Sequence, residues 1–160
     1  MWRQFVPARL AQLEQGFATV EPRMRALGLA RAGLRVQALG FEPLTEEPGL
    51  LLGVLVTPWC LNLVLLPLQH CDRPGPTLAC PRRFGDWALE FQPATLAEPG
   101  AYASCGLFSD MGRFADQAAA QATGEASLQA LRDAAAGVAP AAPSPSRRGF
   151  LFGRPPEARA

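Results

Sequence analysis

An uncharged apolar block is the dominant hydrophobic pattern of this chain. From Gly49 to Leu68 there is no Asp, Glu, Lys or Arg, and roughly 20 apolar residues are enough for a membrane-spanning helix. Pro58 lies near the middle of the block, and a proline in a helix interior costs about 3 kcal/mol. Two runs of strand length, Leu50–Val56 and Leu61–Leu66, flank that proline. The pattern therefore favours a buried β-hairpin, and no membrane insertion is predicted.

Helical and alternating patterns surround this hairpin. Apolar residues recur at helical spacing from Pro7 to about Thr19, which predicts an amphipathic helix that stops at Glu21-Pro22. Strict alternation predicts a half-buried strand that ends around Phe41 and another over Asp86–Gln92. The proline-rich segment Gln69–Gly85 between them is predicted to be a long surface loop.

The C-terminal half completes the predicted fold. Tyr102–Phe108 is predicted to be the last strand. Ser109 or Asp110 is then predicted to cap a helix that runs through Phe114 and ends near Gly137. Strands grouped between terminal helices predict an α+β fold. We expect a mostly antiparallel sheet of about four to five strands, flanked by an N-terminal and a C-terminal helix.

Composition changes after Gly137, where Pro, Ala, Ser and Arg replace the apolar periods. Residues 1–137 are predicted to form a single globular domain, and residues 138–160 a flexible, disordered tail. The tail contains a Ser-Arg-Arg-x-Phe-Leu pattern, typical of a twin-arginine export signal. Its residues are Ser146, Arg147, Arg148, Phe150 and Leu151. Because a working signal lies at the N-terminus, this motif is either a mimic of such a signal or part of a solvated tail.

Composition and charge restrict the function classes. The 160 residues are 49% hydrophobic and 18% charged, which is typical of a globular protein. A formal net charge of +1 at pH 7 gives no reason to expect nucleic acid binding. The first residues contain no apolar stretch of the kind that a secretory signal requires. We therefore predict a cytoplasmic protein.

The cysteines give a second functional hypothesis. Cys60, Cys71, Cys80 and Cys105 contain no CxxC pair, so neither a metal site nor a cofactor is predicted. His70 adjoins Cys71, and a histidine near a thiol can activate it as a nucleophile. A small thiol-dependent enzyme or redox factor, using Cys105 or the Cys71/His70 pair, is therefore the alternative to a protein without enzymatic activity.

Four sequence blocks together carry a family resemblance. They are Val36–Phe41, Leu52–Pro67 with its Thr-Pro-Trp-x-x-Asn-Leu core, Cys105–Met111 and Phe114–Ala120. Over about Leu34–Leu131 the chain resembles the HybE/HupJ family of [NiFe]-hydrogenase assembly chaperones. The resemblance implies a cytoplasmic, non-enzymatic accessory protein that binds the hydrogenase small-subunit precursor and its twin-arginine signal, and delays export until assembly is complete. It also implies the large subunit and other maturation proteins as further partners.

A protein that binds such a signal needs carboxylates beside an apolar groove with aromatic anchors. Arginine side chains pair with carboxylates and stack on aromatic rings. The candidate contacts are Trp59, Asn62, Phe108, Asp110, Met111, Phe114 and Asp116, with Glu46 and Glu47 as further acids. The helical spacing of Phe114 favours a core position, and a buried Asn62 would need backbone partners. Trp59, at a turn, fits a core position or a contact equally well.

The tail motif suggests a regulatory hypothesis. A tethered segment has a high effective concentration near its own domain. The segment from Ser146 to Phe152 would then occupy the groove intended for the client's signal, within one molecule or between two copies. Self-association through the tail is therefore predicted as well.

Overall fold

Residues 2–138, which are those that the computed structural model describes, contain an antiparallel sheet between two helices. The predicted tail, including the motif from Ser146 to Leu151, lies outside the described residues, apart from Val138. The elements are α1 Val6–Ala26, β1 Gln37–Pro43, β2 Leu50–Val56, β3 Leu61–Pro67, β4 Arg82–Phe84, β5 Trp87–Leu89, β6 Gln92–Leu96, β7 Gly100–Phe108 and α2 Gln117–Ala135. The predicted α+β architecture with terminal helices is confirmed.

The apolar block forms the centre of the main sheet. Its five strands lie in the order β1-β2-β3-β7-β6, with every neighbouring pair antiparallel, while β4 and β5 form a separate hairpin. The predicted hairpin is confirmed, because β2 pairs with β3 along its whole length, from Leu50 opposite Pro67 to Val56 opposite Leu61. All of β2 is buried. A strand covered on both faces reads as a continuous apolar run, which explains the uncharged block.

Each face of the sheet packs against one helix. Leu13 and Phe17 of α1 pack with Val64 and other residues of one face. Leu128 of α2 packs with Leu63 and its neighbours on the other face. Side chains alternate between the two faces along each strand, except at the register shifts in the β1–β2 and β3–β7 pairs. Within residues 2–138, neither helix combines the length and the apolarity needed to cross a membrane.

The first helix continues past its predicted end. It runs through Pro22 to Ala26 instead of stopping at Glu21. Pro22 is exposed, so water can satisfy the carbonyl that loses its intrahelical hydrogen bond. The helix ends where Gly28 adopts a φ of 72° and its N–H donates to the carbonyl of Arg25 at 3.0 Å. This left-handed glycine is a common helix stop, and it was a stronger signal than the proline.

The second helix starts later than predicted. Asp110 caps only a short 3₁₀ turn over Met111–Arg113, and the chain then becomes extended at Phe114. The cap of α2 is Asp116, whose side chain accepts the backbone N–H three residues later at 2.8 Å. Extended backbone at Phe114 places its ring in the core. The free energy gained by burying this ring outweighs that of continuing the helix through Phe114. The predicted end is confirmed by Gly137, whose φ is 72°.

The region between β3 and β7 contains two further corrections. The predicted loop Gln69–Gly85 includes β4, and the predicted strand Asp86–Gln92 ends at Leu89 because β5 forms a three-residue hairpin with β4. Strand β6 was not predicted, since Pro93 weakens its strand pattern. A proline is tolerated in an edge strand, and β6 is the last strand of the sheet.

Candidate functional site

Thr57 fixes the turn between β2 and β3. Its hydroxyl donates to the carbonyl of Cys60 at 3.0 Å and accepts the backbone N–H groups of Cys60 and Trp59 at 2.9 and 3.3 Å. Its own N–H donates to the Cys60 carbonyl at 2.9 Å. Pro58 restricts the backbone further by fixing φ. The turn is therefore a rigid corner that holds the Trp59 side chain in one direction.

The Trp59 ring rests on α1. It stacks with Phe17 at a centroid distance of 6.4 Å and an interplanar angle of 15°. Phe17 in turn meets Tyr102 of β7 edge-on, with centroids 5.5 Å apart. Trp59 is only half-buried, so part of its surface faces solvent while Phe17 supports it from the α1 side.

Asn62 lies on the same side of the sheet as Trp59. It alternates with Val64, which packs in the α1-side core, and it is half-buried. Its partner across the β3–β7 pair is Gly106, at a register shift between Leu61 and Asn62. Gly106 is exposed and has no side chain, so the Asn62 amide borders an open notch. We call Trp59, Cys60, Asn62 and Gly106 the corner surface.

Three other predicted contacts lie on the opposite side of the sheet. Phe108, Met111 and Phe114 are buried in the α2-side core. The rings of Phe108 and Phe114 meet edge-on at 5.5 Å, and the Arg113 guanidinium lies 4.8 Å from the Phe108 centroid. The structure therefore does not bring these three side chains together with Trp59 and Asn62. Their contact with a client stays a prediction.

Of the predicted carboxylates, Asp110 and Asp116 act as local caps, whereas Glu47 forms an ion pair with Arg82 at 2.8 Å. Asp110 accepts the N–H of Gly112 at 3.0 Å, and Asp116 caps α2. Both residues are exposed, and neither forms an ion pair within residues 2–138. The guanidinium of Arg31 donates to the Gly112 carbonyl at 3.0 Å, so a positive charge of the chain itself already lies beside Asp110. Arg31 also links this region to the corner, because its backbone N–H donates to the carbonyl of Pro58 at 2.8 Å.

Residues 8–153 match the family model described as "[NiFe]-hydrogenase assembly, chaperone, HybE". The chain belongs to this HybE family. Among its relatives are Protein HoxT of Cupriavidus necator, which is 40% identical and aligned over 91% of this chain and 89% of that protein, and hydrogenase expression/formation protein HupJ of Bradyrhizobium diazoefficiens, 36% identical over 87% and 83%. HupT of Azotobacter chroococcum is 35% identical over 89% and 92%. No solved structure gave a significant match.

Cys60 and Cys105 of this HybE-family chain have raised pKa values, which is unfavourable for thiol catalysis. Burial raises the pKa of Cys60, against hydrogen bonds from Thr57 and Asn62 that lower it. Burial also raises the pKa of Cys105, as does the nearby negative charge of Glu90. The thiolate is the nucleophilic form, so a raised pKa weakens both thiols at neutral pH.

The Cys71/His70 pair of the alternative hypothesis is also not assembled. The Cys71 thiol donates to the carbonyl of Gln69 at 3.5 Å, while His70 Nδ1 lies 3.6 Å from a carboxylate oxygen of Asp72. Within residues 2–138, no three His, Cys, Asp or Glu side chains are grouped as a metal site would require. No observation in the described part of the chain favours the thiol-dependent alternative.

We expect the four thiols of the HybE-family chain to label at two different rates. Cys71 and Cys80 are exposed, whereas Cys60 and Cys105 are partly buried with raised pKa values. At pH 7, a maleimide should modify Cys60 and Cys105 about tenfold more slowly than the exposed pair, and their rates should rise as the pH approaches the raised pKa. Time-resolved peptide mass spectrometry measures each rate. Labelling of Cys105 as fast as Cys71 at pH 7 would contradict the raised pKa.

Sequence reasoning missed part of the corner surface in this HybE-family chain. Trp59 and Asn62 were recognised from the Thr-Pro-Trp-x-x-Asn core, but Gly106 was not, because its role depends on its place opposite Asn62. Phe17 was recognised only as one apolar position of a helix. Its stacking on Trp59 depends on where α1 crosses the sheet, which no local pattern specifies.

Proposed function

We propose that this protein binds the hydrogenase small-subunit precursor in the cytoplasm, recognises its twin-arginine signal and delays export until assembly is complete. Membership of the HybE family supports the hydrogenase context. The observation that carries the signal-binding role is the half-exposed Trp59 ring, held by a rigid turn and stacked on Phe17 beside the open notch at Asn62.

The chemistry of this surface fits an extended cationic segment. A tryptophan face attracts an arginine guanidinium by about 0.5–2 kcal/mol, depending on desolvation. The Asn62 side chain offers both a donor and an acceptor, which suits the backbone of an extended peptide. Because Thr57 and Phe17 hold Trp59 in place before binding, little side-chain entropy is lost when the complex forms.

Binding of the signal by the chaperone explains the delay of export. A signal held on the chaperone is not free to enter the export machinery, so the exported fraction depends on the free signal. A shallow surface binds with modest affinity, which allows release once assembly ends. We propose that residues 1–137 form the binding domain, and that the large subunit and other maturation proteins are further partners. The tail motif from Ser146 to Leu151 would compete for the same surface, within one molecule or between two copies.

A pair of peptides tests signal recognition. One carries the client's twin-arginine signal and the other has both arginines replaced by lysine, which keeps the charge but removes the planar guanidinium. We expect the lysine peptide to bind at least tenfold more weakly in isothermal titration calorimetry. Equal affinity for the two peptides would contradict recognition of the arginines, and a failure of both to bind would contradict recognition of the signal.

A further inference from the structure

The two edges of the main sheet differ in how they are protected. Along the β1 edge, side chains of both helices bind the free backbone groups. The Glu14 carboxylate accepts the N–H of Ala38 at 2.9 Å, and the Arg132 guanidinium donates to the carbonyl of Gly40. Just before β1, Gln117 accepts the N–H of residue 35 at 3.0 Å. The β1 edge is therefore closed to a further strand.

The opposite edge, formed by β6, has open backbone groups at Thr95. Thr95 lies opposite Ala101 of β7, but the N–H of Ala101 donates to the carbonyl of Cys71 at 2.7 Å. Thr95 and Ala101 are therefore a non-hydrogen-bonded pair, in which the N–H and C=O groups of both residues point away from each other. The backbone groups of Thr95 thus face outward, and no residue within 2–138 hydrogen-bonds them.

Pro93 limits what this edge can bind. Pro93 lies two residues before Thr95, so its backbone also faces the open side of β6. Because proline has no N–H, Pro93 presents only its carbonyl there. Prolines at such positions protect edge strands from pairing along their full length. The outward groups that remain are the N–H of Thr95 and the carbonyls of Pro93 and Thr95. These three groups suit a short extended segment. A second copy of the chain pairing along the whole edge would find too few donors.

The charge around this edge selects the partner. The residues of β6 are uncharged, and the acidic residues that flank it are Glu90 before it and Glu98 after it. Asp110, beyond β7, lies near the Arg31 guanidinium and does not add to this charge. Glu90, two residues before β6, is exposed and forms no ion pair among the described residues. The negative charge of Glu98 instead interacts with the guanidinium of Arg9. Edge strands are commonly protected by lysine, so an acidic edge without one complements a cationic segment.

We propose that an extended, arginine-bearing segment of the client's signal adds to β6 as a sixth strand of the sheet. This inference rests on the proposed function and deepens it. The segment pairs with the outward N–H and C=O of Thr95, and its arginines lie toward Glu90. Strand addition of this kind draws affinity from main-chain hydrogen bonds. The N-terminal end of this edge approaches the corner surface, because Gln92 of β6 pairs with Ser104 of β7, two residues before Gly106.

Replacing Thr95 tests the proposed strand. Thr95→Pro removes the outward N–H without breaking the β6–β7 ladder, as Pro93 already shows two residues earlier, and Thr95→Val keeps that N–H. We expect Thr95→Pro to weaken binding of the twin-arginine peptide about tenfold and Thr95→Val to leave it unchanged. In the wild-type protein, hydrogen exchange of the Thr95 amide should slow at least tenfold when the peptide is added.

The outcomes separate this inference from the proposed function. Peptide binding that is unaffected by Thr95→Pro, with no slowing of exchange at Thr95, would overturn the sixth strand and leave signal recognition in place. A wild-type protein that binds no peptide would overturn both. If Thr95→Pro does not fold, as judged by circular dichroism, the exchange of the wild-type Thr95 amide decides alone.

Discussion

Gly16→Ala is expected to lower the free energy of unfolding by about 3 kcal/mol, at the upper end of the usual cost of overpacking. Gly16 lies where α1 crosses the chain just before β7. A Cβ atom there would overlap the carbonyl oxygen of Glu98 and lie 2.8 Å from its carbonyl carbon. Both atoms are backbone, so no side-chain rotation relieves the overlap. The helix must move outward, which loosens the packing of Leu13 and Phe17 beneath it.

Gly75→Ala is the matched control for this prediction. Gly75 has a φ of −81°, which alanine adopts freely, and a Cβ atom there meets nothing within 4 Å. We expect its free energy of unfolding to change by less than about 0.5 kcal/mol. Urea denaturation monitored by circular dichroism measures both variants. A Gly16→Ala protein as stable as Gly75→Ala would contradict the close contact between α1 and Glu98.

Trp59→Ala is expected to weaken binding of the client's signal by tenfold or more. Tryptophan is among the residues whose truncation most often costs an interface 2 kcal/mol or more, and Trp59 is the aromatic side chain of the corner surface. Its ring is supported by Phe17 and held by the Thr57 turn. Removal therefore deletes a preformed contact, with some loss of stability because the Phe17 ring loses its stacking partner.

Trp2→Ala separates binding from packing. Trp2 is also a half-buried tryptophan that packs against the α1-side core, but it precedes α1, far along the chain from the corner. We expect this variant to bind the signal peptide with unchanged affinity, and Trp59→Phe to keep part of the affinity. Fluorescence anisotropy of a labelled peptide gives the dissociation constants. Equal losses for Trp2→Ala and Trp59→Ala would show that the effect arises from general destabilisation.

Much of the fold was predictable because local sequence patterns specify its central hairpin. The hairpin of β2 and β3 follows from two apolar runs around Pro58, and the terminal helices from their spacing. The errors arose where tertiary context outweighed a local signal. Pro22 did not end α1 because it is exposed, and Pro93 hid a strand that the edge position tolerates. A three-residue hairpin such as β4 and β5 gives too short a pattern to detect.

The candidate site was predictable only in part. The sequence core identified Trp59 and Asn62, and the structure places both on the α1 side of the sheet. Phe108 and Phe114, from the last two blocks, were grouped with them as candidate aromatic anchors, but their side chains face the other side. The side of the sheet that each side chain faces depends on its position along the strand and on the register shift at Asn62. The open backbone of Thr95 likewise depends on pairing with β7, which a single sequence does not specify.

The central claim is that the protein recognises the signal of a hydrogenase small-subunit precursor. The most direct test compares the affinity of the purified protein for the full precursor with its affinity for the same precursor lacking the twin-arginine signal, measured by biolayer interferometry. We predict binding of the full precursor and at least a tenfold loss without the signal. Equal affinity for the two forms, or no binding of either, would contradict the claim.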